Sequence, residues 1–307
     1  MELTRLDASE DGVAEVVAFM ARLNREATHH VFYCDEEDTA LRRSLAGFSL
    51  PPEKTFVIAR ESGKIRGVLG FDADMRLGRA WAYGPFIEHA EQRQTAEALW
   101  NAAEPLLPAE VREIELAFDV RNKGLERFVE HHRMSHYRDL SVLSLRHDDW
   151  SPVALGTHDV EPLRDDDVKA FERLHDEMFP ATFWAGPDVV GRLNDERRVL
   201  VAKRSGAVIG YVYSEVDPSI GQGGIEFLAV APDLRRRGVG NALVESSLRW
   251  IFSVPEVDEV FVIVDDENPA GERLFGGFGF RMIRRMRAFR TRRDDAPRGD
   301  PPDPSQS

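Results

Sequence analysis

The chain has 307 residues, more than one ordinary domain needs, so two domains are expected. Hydrophobic residues make up 42% and charged residues 31%, the balance of a water-soluble globular protein. Lys and Arg total 40 against 54 Asp and Glu, a formal net charge of −14. That excess argues against nonspecific binding to nucleic acid or anionic lipid and suits a cationic partner. Cys34 is the sole cysteine, which excludes a disulfide framework and a cysteine-based zinc site. No apolar run approaches the ~18 residues of a membrane span, and Met1-Glu2-Leu3-Thr4-Arg5 does not open a secretion signal. A cytoplasmic protein without membrane partners is expected.

In chain order, each half begins with a short strand and an amphipathic helix. Val13, Val16, Val17, Met20 and Leu23 recur at helical spacing, as do Val168, Phe171, Leu174 and Met178. A hairpin follows in each: Phe56–Arg60 and Ile65–Phe71 flank Ser62-Gly63, and Val199–Lys203 and Ala207–Glu215 flank Ser205-Gly206. Strand, helix, strand, helix and a last strand complete each half. The halves also match residue by residue. Val111 to Arg127 lies over Val257 to Arg273 without a gap, so that Asp119 meets Asp265, Asn122 meets Asn268 and Glu126 meets Glu272. Phe56 to Gly67 lies over Val199 to Gly210 at nearly the same offset. A period of half the chain is too long for a solenoid and indicates a duplicated α/β domain with a mixed sheet. The expected division is 1–150 and 156–293, with a linker over Trp150–Thr157 and a proline-rich disordered tail over 294–307.

One segment of the second half carries chemistry. Ile225 to Val230 reads as a strand that Pro232 ends; Arg235-Arg236-Arg237-Gly238-Val239-Gly240-Asn241 follows; then Val239, Leu243, Val244, Leu248 and Ile251 recur at helical spacing. A helix start exposes unpaired N–H groups and the positive end of the macrodipole, and two glycines let a ligand approach the backbone. A pyrophosphate fits such a place. The P-loop is excluded, because Asn241-Ala242 stands where it needs Lys and Ser or Thr. The dinucleotide fingerprint lacks its third glycine at Leu243, although Asp258 stands near the place of its ribose acid.

Val230-x-Pro232-x-x-Arg235-x-x-Gly238-x-Gly240-x-Ala242-Leu243 resembles the acetyl-CoA signature of the GCN5-related N-acetyltransferase (GNAT) superfamily. Asn268 followed by Leu274-Phe275 and Gly279-Phe280 is similar to a second family signature. The resemblance covers about 158–291 well and, through the repeat, 1–147 weakly. It implies two tandem GNAT-like domains, each a mixed, mostly antiparallel sheet flanked by helices. It implies that Arg235, Arg236, Arg237, Gly238, Val239, Gly240 and Asn241 bind the pyrophosphate. Leu228, Ala229 and Val230 would run beside the pantetheine, which Asn268 would hydrogen-bond, and Phe275 would stand against the thiol. Acetyl-CoA would be the cosubstrate, with no metal. The bland readings stand beside these: the arginines as a solvated turn, and Asn268-Pro269 as a helix cap.

Acetylating a lysine-like amine requires removing a proton at a cost of about 4.6 kcal/mol at pH 7, from a pKa of ~10.4 and ~1.36 kcal/mol per unit. A nearby carboxylate eases that step. Glu226 is the candidate, since alternation from Leu228 and Val230 would place it on their face; the alternative is a solvated strand glutamate. Tyr213 and Glu215 are reserves. Phe275 stands where the family commonly has a tyrosine acid, so this chain has no proton donor there. The expected function is acetyl transfer to a primary amine of a small molecule. The alternatives are a CoA-binding sensor without turnover and an acetyltransferase for protein lysines or N-termini. A monomer or a homodimer is expected.

The first half lacks the glycine pair, carries Glu91 and Glu97 at the signature and has Val129 in the place of Phe275, so no acetyl-CoA binding is expected there. His29, His30, Cys34 and Asp35 read as a surface loop rather than a metal cluster, as do His131, His132 and His136. The arginines at 281, 284, 285, 287, 290, 292 and 293 read as a charged edge strand or as a contact for phosphate. Phe179–Pro187 is expected to line the substrate entrance.

Overall fold

The computed structural model describes residues 1–88, 92–152, 158–180 and 182–293. The tail at 294–307, most of the expected linker, Glu91 and Ala181 lie outside the described residues. The chain forms two compact units, one of Met1–Arg138 with the residues from Arg287 onward, the other of Asp139–Met286.

The first unit contains β1 (Glu2–Arg5), α1 (Glu10–Asn24), α2 (Asp38–Ala46), α3 (Pro52–Thr55), β2 (Val57–Glu61), β3 (Lys64–Asp74), β4 (Arg79–Ile87), α4 (Gln92–Ala103), β5 (Glu113–Asp119) and α5 (Lys123–His131). Strand β6 (Ser135–Arg146) begins in this unit and ends in the second. The second contains β7 (Asp159–Pro162), α6 (Val168–Met178), α7 (Gly186–Gly191), β8 (Arg197–Arg204), β9 (Ala207–Asp217), β10 (Gln222–Val230), α8 (Val239–Ile251), β11 (Glu259–Asp265) and α9 (Pro269–Gly277). Strand β12 (Arg281–Arg292) begins there and ends in the first unit. The strand order is β1-β2-β3-β4-β5-β12 in the first unit and β6-β11-β10-β9-β8-β7 in the second. Both sheets are mostly antiparallel, with parallel pairs at β4–β5 and β10–β11. The sequence division at 1–150 and 156–293 thus differs from the structural one, because β12 completes the first sheet and most of β6 completes the second.

Both hairpin turns have positive φ at each central residue, Ser62 at 50° and Gly63 at 78°, Ser205 at 52° and Gly206 at 81°. This backbone matches the twist of the strands it joins. In the second unit the sheet has an apolar layer on each face. Val212, Val262, Leu243 and Leu248 lie on the α8 side. Phe171, Val189, Tyr211, Tyr213 and Phe227 lie on the side of α6 and α7.

The arginine-rich strand is not an edge. Its end lies beside β5, where Phe289 stacks on Phe118 with ring centres 5.6 Å apart. Arg287 meets Glu126 at 3.3 Å, and Arg290 meets Glu115 at 2.7 Å. Arg293 binds the Glu104 carboxylate and donates to the carbonyls of Pro108 at 2.7 Å and Val111 at 3.1 Å. Glu115 is only 2% exposed, so Arg290 answers a carboxylate that would be costly to bury alone. Arg287, Arg290 and Arg293, which the edge-strand reading left to solvent, are structural counterions.

Candidate functional site

The chemistry concentrates where β10 leaves β11. Their parallel pairing runs from Gln222 opposite Glu259 to Ile225 opposite Val262 and ends there. Strand β10 continues along β9, with Phe227 opposite Tyr213 and Val230 opposite Gly210. Just past the strand's end, the Ala231 N–H donates to the Ile209 carbonyl at 2.9 Å. Backbone groups alternate along a strand, so the amides and carbonyls of Leu228 and Val230 point to the opposite edge, the one β11 has left. The Ala229 amide points back to β9. An extended ligand could therefore pair with Leu228 and Val230 as a missing strand would.

The register shifts between Ile225 and Phe227, and Glu226 is the bulged residue. A bulge interrupts the alternation of faces. Ile225, Leu228 and Val230 pack on the α8 side, whereas Phe227 packs on the α6 side. Glu226 interacts electrostatically with Glu215 and Arg192, which belong to the Tyr213 side of β9. The expectation that Glu226, Leu228 and Val230 share a face is therefore corrected: the bulge sends the carboxylate to the opposite side from the two apolar residues. A Cβ on Gly224 would lie 2.6 Å from Glu226 Oε1, so the glycine makes room for this side chain.

Glu226 keeps solvent access, yet protein crowds its carboxylate enough to raise its pKa to about 7. Lost solvation is the main cause, the charge of Glu215 adds to it, and Arg192 opposes it. This pKa suits a group that gains and loses a proton near neutrality.

Tyr213 is fully buried and donates its hydroxyl hydrogen to Glu215. Arg192 approaches the same hydroxyl at 3.5 Å and Glu215 at 3.2 Å, and Arg197 meets the other Glu215 oxygen at 3.1 Å. Burial and the hydrogen bond to Glu215 hold the Tyr213 pKa well above its usual value. Tyr213 is thus a fixed, neutral member of a network. The Arg192 guanidinium stacks 3.7 Å above Trp184. Sequence reading missed this arginine, whose neighbours come together only in the fold. It also missed His175, buried on α6, which donates from Nε2 to the Trp184 carbonyl at 2.8 Å and accepts from the Tyr211 hydroxyl at 2.7 Å. Burial lowers its pKa, so it is a neutral pin for the 182–184 segment.

On the other side of β10, Gly238 has φ 86° and caps α8 without a side-chain hydrogen bond. The first helical bond runs from the Ala242 amide to the Gly238 carbonyl at 3.1 Å, so the amides of Val239, Gly240 and Asn241 precede the helical ladder. Arg236 also has positive φ, at 59°. His158 Nε2 donates to the Arg237 carbonyl at 2.7 Å and fixes the turn. Arg235 points back: its Nε donates to the Val230 carbonyl at 3.1 Å. Arg236, Arg237 and Asn241 are exposed, and Val239 is buried.

Asn268 accepts from the Gly271 amide at 3.0 Å and caps α9. Asn268→Ala is expected to cost about 1 kcal/mol of stability, measured by urea unfolding. Phe275 is buried and packs edge-to-face on Phe280 with ring centres 5.4 Å apart. Among the described residues, no group of three or more His, Cys, Asp or Glu could hold a metal, and no helix is long and apolar enough to cross a membrane.

The first unit repeats the parting of strands and fills it. Its β4–β5 pairing ends at Trp81 opposite Glu115. Beyond that point, the Phe32 amide donates to the Ala117 carbonyl at 2.9 Å, and the Asp119 amide donates to the His30 carbonyl at 3.2 Å. Val31 thereby forms a bridge with Phe118. The Asn24 side chain accepts from the Val31 amide at 2.7 Å and donates to the Cys34 carbonyl at 2.5 Å. The stretch read as a surface loop is internal, with Val31, His30 and Cys34 all buried.

The acetyltransferase (GNAT) family matches residues 160–280. An N-alpha-acetyltransferase of Sulfurisphaera tokodaii is 26% identical over 111 residues, which span 33% of this chain and 66% of that protein. Among solved structures, a GCN5-related N-acetyltransferase from Sphaerobacter thermophilus aligns with a TM-score of 0.72 at 18% identity, over 96% of each chain. A tandem GNAT protein from the clavulanic acid biosynthesis pathway aligns with a TM-score of 0.70 at 16% identity, over 97% of this chain and 99% of its own. Strands that part at a bulge, a glycine-capped helix beside them and the family match over the same stretch identify residues 160–280 as a GNAT domain.

Proposed function

We propose that the second unit transfers an acetyl group from acetyl-CoA to a primary amine of a small molecule. The observation that carries this reading is the parting of β10 from β11 at Glu226, with the open N-terminus of α8 just downstream. The edge at Leu228 and Val230 fits the amide-rich pantetheine arm. The amides from Arg237 to Asn241 fit a pyrophosphate, and Arg236 and Arg237 add exposed positive charge there. Arg235 serves by shaping the turn and Asn268 by capping α9.

The thioester supplies an activated acyl group. The amine nitrogen bonds to the acyl carbon, the C–S bond breaks, and the amine's proton passes to Glu226 directly or through water. The thiolate takes its proton from solvent, since Phe275 has none to give; a thiol pKa of ~8.5 makes that departure tolerable near neutrality. Tyr213 acts through Glu215 and Arg192 and is a positioning residue.

The first unit binds no acetyl-CoA in this reading, because His30–Phe32 already occupies the place beside β5. Calorimetry is expected to give one acetyl-CoA per chain, and a stoichiometry of two would refute the closed first unit. Thiol release over a panel of amines tests the reaction. Phe275 favours a second reading, a CoA-responsive protein without turnover. Tight binding with no thiol release from any amine would decide for it.

A further inference from the structure

We infer that the acceptor is an amine whose skeleton is apolar, and that Phe183 and Ile263 select it; this rests on the acetyl-transfer reading above. Phe183 is 45% exposed and Ile263 48%, and Met282 and Ile283 are the other exposed large apolar side chains among the described residues of this unit. Phe183 and Ile263 belong to the Glu226 side of the sheet. On β11, Val260, Val262 and Val264 pack on the α8 side, so alternation turns Ile263 to the other face. Ile263 is the first β11 residue past the last paired position, Ile225 opposite Val262, and so stands where Glu226 bulges from the neighbouring strand. Phe183 stands edge-to-face on Trp184 with ring centres 4.5 Å apart, and lies 6.2 Å from Phe227, the residue after Glu226. The two exposed side chains therefore belong to the same side of the sheet as the carboxylate, one on the strand beside the bulge and one on the 182–184 segment.

The charged groups around Glu226 are largely engaged with one another or with the backbone. Arg192 and Arg197 share one carboxylate, Glu215, and the neighbouring Glu226 is only partly ionised near neutrality. Asp176 and Asp188 accept hydrogen bonds from the amides of Gly186 and Ala185, at 2.7 and 2.9 Å, and shape the turn after Trp184. An apolar body resting on Phe183 and Ile263 gains by leaving water.

The test is thiol release from acetyl-CoA with isopentylamine and 2-phenylethylamine against ethanolamine, glucosamine and spermidine, with a short Leu-initiated peptide as a further arm. The apolar amines are expected to exceed the polar ones about 10-fold in kcat/KM, the scale a hydrophobic pocket supplies. Phe183→Ser and Ile263→Ser are expected to remove that preference through a raised KM for the apolar amines, while the affinity for acetyl-CoA, bound on the other side of β10, stays within twofold. Faster turnover of the peptide than of isopentylamine would support the apolar selection but overturn the small-molecule acceptor in favour of a chain terminus. Spermidine or glucosamine equal to or better than the apolar amines would overturn the inference and leave acetyl transfer standing. Equal losses for every amine in both variants would overturn it as well. No thiol release with any amine would overturn the acetyl-transfer reading, and this inference with it.

Discussion

Glu226→Gln is expected to lower kcat/KM about 100- to 10,000-fold, the usual contribution of a positioned general base. Glutamine keeps the shape of the side chain over Gly224 and accepts no proton at any relevant pH. The affinity for acetyl-CoA, which depends on the other side of β10, should stay within twofold by calorimetry. The pH profile separates a base from a bystander. A base must be ionised to accept a proton, and lost solvation beside crowding protein has raised the Glu226 pKa to about 7. Wild-type kcat/KM should therefore fall as pH drops through about 7, and rise to a plateau above it. The variant should lose that limb along with the rate. A residual limb at the same pH in Glu226→Gln would assign the titration to another group.

Asn241→Asp should move binding and stability in opposite directions. Asn241 is exposed in the first turn of α8. An added carboxylate there meets the positive end of the macrodipole, so the fold should gain about 0.3–1 kcal/mol in urea unfolding. The same charge would oppose a pyrophosphate a few ångströms away. At an intermediate effective dielectric this repulsion is about 3 kcal/mol, close to a 100-fold loss of acetyl-CoA affinity. The loss should shrink as salt is added. A variant that binds acetyl-CoA as tightly as the parent would place the pyrophosphate elsewhere. A variant that loses both affinity and stability would point to damage rather than charge.

The sequence made local features plain and left non-local ones hidden. The α8 start was legible because Pro232, Gly238 and the apolar period from Val239 act within a few residues of one another. Both hairpins were legible because Ser-Gly supplies the positive φ that the turn requires. The side to which Glu226 points was not, because a bulge arises from the register between β9 and β10. Arg192, Trp184 and Glu215 come from a helix end, a loop and a strand, and no spacing along the chain joins them. The apolar run Val31-Phe32-Tyr33, between two helices, was a readable sign of an extra extended segment; its histidines and the neighbouring acidic residues suggested a surface loop instead. Arg287, Arg290 and Arg293 were visible, but their partners Glu126, Glu115 and Glu104 lie far earlier in the chain.

The route of β12 has a consequence for synthesis. Residues Arg287–Arg293 leave the ribosome only after everything from Asp139 to Met286 has been made, and until then Glu115 lacks its arginine and Phe118 its stacking partner. The amino-terminal portion therefore cannot finish folding as it emerges. A polypeptide cut near Trp150 should be prone to aggregation, and should recover solubility when the missing carboxy-terminal piece is supplied in trans.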